Sequence, residues 1–204
     1  MKNLLSKCFF ISLILFASAC NCNNNEKKSK LLFIGDSITY GHNGYDFYWS
    51  RFFQDYEIIN LSIPGCGADS LRWNIYNVIE ANPDIISLMI GINDLGYNRI
   101  EKNEYLNYIK AFISSVKYNN DNCKIYVNSI LPLGKESTYL TKTSNLEIRD
   151  WNTSLKTLIE SDFTDVTFID LYSDFYGRDE LYLDGLHPND KGYEIWIKKL
   201  KFYF

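Results

Sequence analysis

Ser37 sits in Gly35-Asp36-Ser37-Ile38, directly after the apolar run Leu31–Ile34, and Asp184-Gly185-Leu186-His187-Pro188 lies near the far end of the chain. A serine hydroxyl becomes nucleophilic when an imidazole takes its proton, and the imidazole needs a carboxylate to hold its tautomer. Asp184 and His187 are spaced to act as that pair. His42 and His187 are the two histidines of the sequence, so the search for a general base is nearly closed at the outset. The chemistry these residues could perform together is acyl transfer through a covalent serine intermediate.

Such a trio works only if separate elements end at one place. Five short apolar runs predict strands: Leu31–Ile34, Glu57–Leu61, Ile85–Ile90, Lys124–Ile130 and Val166–Asp170. Their near-continuous apolar character suits strands buried on both faces, as in a parallel sheet. Longer amphipathic stretches predict helices over about Tyr45–Tyr56, Asp69–Ala81, Lys102–Tyr118 and Ser144–Glu160. A last helix is expected over Asn189–Leu200, with Asn189 where an N-cap belongs. This alternation predicts an α/β protein, a doubly wound three-layer α/β/α sandwich around a five-stranded parallel sheet. Right-handed crossovers would bring every strand's carboxyl end to one edge, where ligands bind in such sheets. Ser37 follows the first strand, Gly65 the second and Asn93 the third. The long loop Leu131–Thr143 follows the fourth strand, and the Asp184/His187 loop lies beyond the fifth.

Gly-Asp-Ser-Ile at 35–38, Gly65, Gly91-Ile92-Asn93-Asp94 and Asp184-x-x-His187 resemble, in order and spacing, the four blocks of the SGNH (GDSL-type) hydrolases. The resemblance covers about Leu31 to Leu200. It implies that family's flavodoxin-like fold and a serine-dependent carboxylic ester hydrolase that uses no cofactor or metal. Carried over residue by residue, it implies Ser37 as nucleophile, His187 as base and Asp184 as the group that orients the imidazole. The oxyanion hole would come from the Ser37 and Gly65 amides and the Asn93 side chain. The physical reading agrees, because tetrahedral collapse puts charge on the former carbonyl oxygen and fixed donors must already point there. Asn93 offers an NH₂ that does not ionise, and Gly65 lets backbone approach closely. Two positions depart from the pattern. Ile92 stands where Thr is common, and Cys66 follows Gly65 where Asp is frequent, which bears on the bonds that position Gly65.

Each block also has a plain structural reading. Ser37 could cap a helix turn, Asp184-Gly185 could be only a turn, and Asn93-Asp94 a loop that satisfies its own backbone. Gly65-Cys66-Gly67 half-matches a dinucleotide fingerprint but lacks its third glycine. No Gly-x-Ser-x-Gly elbow is present, which disfavours the ordinary α/β-hydrolase fold. His42, between Gly41 and Asn43, lines the mouth of the site or is solvated.

Residues 1–19 carry Lys2 and Lys7, the apolar run Phe9–Ala19 and small residues before Cys20. That composition predicts a secretory signal, its apolar run short of the about 20 residues that span a bilayer. The cysteine resembles a bacterial lipobox, with Ala17 where Leu is commoner, making Cys20 the lipidation site of an exported, membrane-anchored lipoprotein. An ordinary signal with a chance cysteine is the alternative. Residues 20–30 are polar and predict a flexible tether, and 31–204 is one domain's worth of chain. The whole chain has a net charge of −4, and loss of Lys2 and Lys7 would leave 19 basic against 25 acidic residues, about −6. No basic cluster stands out, which argues against nucleic acid as a partner. At 46% hydrophobic the chain can bury a core without disulfides. Cys22, Cys66 and Cys123 show no metal-ligand spacing, and a disulfide among them is open.

The expected substrate is a small ester or an acetylated glycan. Tyr40, Tyr45, Phe47, Tyr48 and Trp49 crowd the segment after Ser37, but Phe47–Phe53 has the helical spacing of core residues. Tyr139 and Tyr182 are the better rim candidates, alongside His42. An O-acetyl or short-acyl esterase acting on carbohydrate is the first reading. A lysophospholipase or broad acyl-esterase, a glycan O-acyltransferase with the same triad, and a non-catalytic glycan-binding module are the others.

Overall fold

Five apolar runs become the strands of one parallel sheet: β1 (Lys30–Gly35), β2 (Glu57–Asn60), β3 (Ile85–Met89), β4 (Lys124–Asn128) and β5 (Val166–Ile169), in the order β2-β1-β3-β4-β5. The structure is a computed structural model that describes residues 27–41, 47–137 and 142–204. Leu31 pairs with Ile58 of β2 and Ile85 of β3, so β1 is bonded on both sides. Leu31 to Ile34 and all of β3 are buried, as expected of strands covered on both faces.

The intervening chain forms α1 (Ser37–Tyr40), α2 (Phe47–Phe52), α3 (Leu71–Ala81), α4 (Ile92–Tyr97), α5 (Lys102–Asn119), α6 (Asn145–Asp162), α7 (Tyr172–Phe175) and α8 (Asp190–Leu200). From β1 the chain steps one way to β2, then back past β1 to β3 and onward. With right-handed crossovers, that reversal puts α2 on one face and α3, α5 and α6 on the other. α3 packs on α5 and α5 on α6. On the other face, Trp49 of α2 stacks on Phe33 of β1 (ring centroids 4.2 Å apart) and meets Trp196 of α8 edge-on at 4.9 Å. The three layers are those the alternation predicts. The strand order makes the gap between β1 and β3 a topological switch point, and its crevice lies at the carboxyl ends of the strands.

The predicted helices from α3 onward agree with the structure to within a few residues. Ser144 caps α6 by accepting from Glu147 N, and Asn189 caps α8 by accepting from Gly192 N. The predicted helix over Tyr45–Tyr56 is shorter, ending at Phe52, and Tyr45 and Asp46 lie outside the described residues. β4 stops at Asn128 rather than Ile130. Its continuation is held by a side chain: Ile130 N donates to Asn152 Oδ1 and Asn152 Nδ2 donates to Ile130 O, both at 2.8 Å. One amide of α6 thus replaces a strand partner. The short helices α1, α4 and α7 were not predicted, since four to six residues show no readable 3.6-residue period.

Candidate active site

Ser37 opens α1, and the residue that caps this helix is Asp36, not Ser37. Asp36 Oδ1 accepts from Ile38 N at 2.9 Å from extended backbone, the usual N-cap geometry. The cap frees the serine hydroxyl for other work. A helix this short cannot satisfy its own carbonyls. Tyr193 Oη donates to Ile38 O at 2.6 Å and Trp49 Nε1 donates to Thr39 O at 2.8 Å. The aromatic cluster of α2 and α8 therefore both packs on β1 and holds the turn that carries Ser37.

Ser37 Oγ lies 3.0 Å from His187 Nε2, and His187 Nδ1 lies 2.8 Å from Asp184 Oδ2. The structure thus brings together three residues from opposite ends of the chain in one hydrogen-bonded line. Asp184 Oδ1 also accepts from His187 N (2.7 Å) and Leu186 N (3.0 Å). Burial acts to raise the Asp184 carboxyl, but these amides and the imidazole outweigh it and hold the group below the usual carboxylate range. The Asp184–His187 loop is itself clamped. Gly134 N donates to Gly185 O at 2.8 Å, and a Cβ on Gly185, at φ +76, would meet Ser137 N at 2.4 Å. Only glycine fits under the loop that follows β4.

Gly65 follows β2 in the turn Ile63-Pro64-Gly65-Cys66, closed by Cys66 N donating to Ile63 O at 3.2 Å. Pro64 at the first central position and Gly65 at φ +77 at the second are the chemistry of a type II turn. Asn93 lies in α4 rather than in a loop, buried, with Nδ2 donating to Cys66 O at 2.9 Å and a second N–H remaining. Asp94 beside it accepts from Ala68 N at 2.8 Å. Arg99 Nη1 donates to Gly65 O at 2.8 Å. Gly65 is therefore held from outside its own turn, although Cys66 follows it.

Two buried carboxyls flank these groups. Desolvation pushes Asp36 up to about 7, against the pull of the Ile38 amide, and pushes Asp94 up to about 6 against that of Ala68. Asp36, Asp94, Arg99 and Tyr193 carry no role in the sequence reading, and Trp49 figures there only as core. Asp before a serine at the end of an apolar run is an N-cap signal that could have exposed Asp36. The contacts of the others are tertiary.

Tyr182 is not at a rim. It is buried, its hydroxyl donates to Pro132 O at 2.6 Å, and its ring meets Phe175 edge-on. That hydrogen bond joins the loop after β4 to the loop before His187, which is work enough for the residue. Tyr48, Trp49 and Phe53 are core, as their spacing indicates. His42, Tyr139, Cys20 and the segment 1–19 lie outside the described residues, as does the tether up to Glu26. Cys66 and Cys123 are both free thiols. A cavity of about 390 Å³ between α6 and β5, lined in part by Arg149, Phe168, Tyr172 and Tyr176, contains none of the site residues.

A parallel α/β sheet with a serine, histidine and aspartate in line at its carboxyl edge defines the hydrolase class of site. The model of the GDSL-like lipase/acylhydrolase family matches residues 33–195, and the chain belongs to that family. The chain is 27% identical over 176 residues to an N-acylneuraminate cytidylyltransferase of Escherichia coli O18:K1:H7, covering 84% of this chain and 41% of that protein. It is 26% identical over 248 residues to a multidomain esterase of Ruminococcus flavefaciens, covering 94% of this chain and 31% of the esterase. The chain thus spans well under half the length of these relatives. Among solved structures, that of the acetyl xylan esterase AlAXEase superposes with a TM-score of 0.72 at 21% identity, over 85% of this chain and 98% of that one, a likeness of fold.

Proposed function

We propose that this protein is an extracytoplasmic serine esterase that removes O-acetyl or other short acyl groups from carbohydrate. The observation that carries the reading is the unbroken line Ser37 Oγ–His187 Nε2–His187 Nδ1–Asp184 Oδ2, at 3.0 and 2.8 Å. Ser37 Oγ attacks the ester carbonyl while His187 Nε2 takes its proton, and the carbonyl π-electrons move onto oxygen. Asp184 holds the Nδ1–H tautomer and offsets the imidazolium charge that forms. Collapse of the intermediate breaks the bond to the alcohol, which leaves with the proton from His187. Water then repeats the sequence on the acyl-enzyme, releasing the acid and restoring the Ser37 proton.

The developing oxyanion meets three donors in this reading. Ser37 N–H is a first-turn amide with no acceptor within its own helix. Gly65 N–H takes no part in the bond that closes its turn, and Asn93 keeps one N–H beyond that given to Cys66 O. A carbohydrate substrate is supported by the sugar acid in the name of one relative, and ester cleavage by the name of the other, a multidomain esterase. Export and lipidation at Cys20 rest on the sequence of residues 1–20. Among the described residues no helix is long and apolar enough to cross a membrane.

The test is turnover of p-nitrophenyl esters from acetate to decanoate by the full-length chain, with Ser37→Ala as blank, followed by a screen of acetylated glycans. Serine-dependent activity confined to short chains supports the reading. Activity that rises with chain length would replace it with a lipid acyl-esterase. Absence of serine-dependent turnover would replace it with an acyltransferase or a binding module.

A further inference from the structure

The sheet order places β1 between β2 and β3. Gly65 after β2 and Asn93 after β3 therefore flank Ser37 without being neighbours in the ladder, and no ladder bond sets the distance between them. α4 supplies the tie. Asn93 Nδ2 donates to Cys66 O (2.9 Å), Ala68 N donates to Asp94 Oδ2 (2.8 Å), and Arg99 Nη1 donates to Gly65 O (2.8 Å).

Backbone chemistry puts Arg99 where it can do this. Asn98 ends α4 in the left-handed region at φ 49, ψ 48. Its N–H donates to Leu95 O at 3.2 Å, and Arg99 N donates to Asp94 O at 3.0 Å. That pair of bonds around a left-handed residue is the Schellman motif, which satisfies the last carbonyls of a helix and reverses the chain. Arg99 is thereby turned back over the Gly65 loop. Its guanidinium lies 5.0 Å from the centroid of the Tyr97 ring, which narrows its freedom. Gly65 sits in an exposed turn, and apart from its chain neighbours no described residue lies within 4 Å of where its Cβ would be, so side-chain packing does not hold it.

We propose that Arg99 is a positioning residue for the oxyanion hole. By holding Gly65 O it anchors the peptide that follows Gly65 and so limits the swing of the turn that carries the Gly65 N–H relative to the Asn93 side chain, without touching a reacting atom. The assignment rests on the esterase reading above. Arg99 is exposed, so its removal takes away the tie without opening the core.

The experiment measures kcat and KM of the full-length chain on p-nitrophenyl acetate for wild type, Ser37→Ala, Arg99→Ala and Arg99→Lys, with Tm for each. Arg99→Ala is expected to lower kcat about tenfold, less than the 10²–10³ that loss of a donor costs. KM should stay within about twofold and Tm unchanged, since an exposed side chain contributes little to stability. Guanidinium added well below denaturing concentration should restore part of kcat to Arg99→Ala, and Arg99→Lys should fall between Arg99→Ala and wild type. An unchanged kcat in Arg99→Ala, with turnover still dependent on Ser37, would sink the assignment alone. A loss confined to KM for carboxylate-bearing esters would also overturn it, making Arg99 a substrate-binding group. Turnover independent of Ser37 would remove the esterase reading and the assignment with it.

Discussion

Asp184 holds His187 through two of its atoms: the carboxylate accepts from the imidazole and from the backbone N–H of the same residue. Asp184→Asn can keep the backbone bonds through its carbonyl oxygen, but an NH₂ cannot accept from Nδ1–H. The expected result is an intact fold and a kcat lower by about 10⁴, as for a triad left with the wrong tautomer. Circular dichroism and steady-state kinetics on one preparation check both parts. Asn93 makes a different prediction. Its free N–H meets charge that exists only in the transition state, so Asn93→Ala should lower kcat by roughly 10²–10³ with little change in KM. A pure KM effect would contradict the role. His187→Ala should abolish acylation by a fluorophosphonate, whereas His42→Ala should leave it in place.

At the level of elements, the turn bearing the nucleophile depends on residues remote from it in sequence. α1 is too short to be stable alone, and its last carbonyls are met by Trp49 from α2 and Tyr193 from α8. Tyr193→Phe retains the ring stack on Tyr48 (centroids 3.9 Å apart) but removes the side-chain donor that Ile38 O has among the described residues. A buried carbonyl stripped of its partner costs about 1–3 kcal/mol, which urea unfolding would read as a lower midpoint at constant m. A loss of kcat beyond the fraction unfolded is expected as well, because α1 sets the position of Ser37. The strands were legible in the sequence since burial on both faces leaves unbroken apolar runs such as Leu31–Ile34. The short helices were not. α4 carries Asn93 but is defined by its Schellman end and its bonds to the Gly65 loop, none of which has a sequence period.

At the scale of the whole molecule, two carboxyls among the described residues, Asp36 and Asp94, are buried where the sheet's carboxyl edge meets the helices. Asp36 is raised to about 7 and Asp94 to about 6, both chiefly by desolvation. An unfolded aspartate releases its proton near 3.9, whereas these keep theirs to higher pH. Between about pH 4 and 7 the native state thus binds more protons than the unfolded state, so stability falls as pH rises through that window. Each proton contributes a slope of up to about 1.4 kcal/mol per pH unit. Asp36→Asn keeps an acceptor for Ile38 N and cannot ionise, so its denaturation midpoint should fall less steeply from pH 4 to 7. A slope equal to wild type would show that Asp36 is not the titrating group.

While Gly65 and Asn93 came from the resemblance to the SGNH hydrolases, residue types and order were sufficient to nominate Ser37, Asp184 and His187, because acyl chemistry admits few side chains and the sequence has only two histidines. They were sufficient too for a parallel α/β sheet, since strands covered on both faces and helices covered on one have different periods. What the tertiary structure decided is which groups hold those residues. Tyr182 ties two loops together instead of lining a rim, and Arg99 reaches Gly65 across the strand that lies between them. Each of these is a hydrogen bond whose partners are set by the path of the chain in space. A side chain's type states what it can donate or accept, and only the fold brings the other atom within 3 Å.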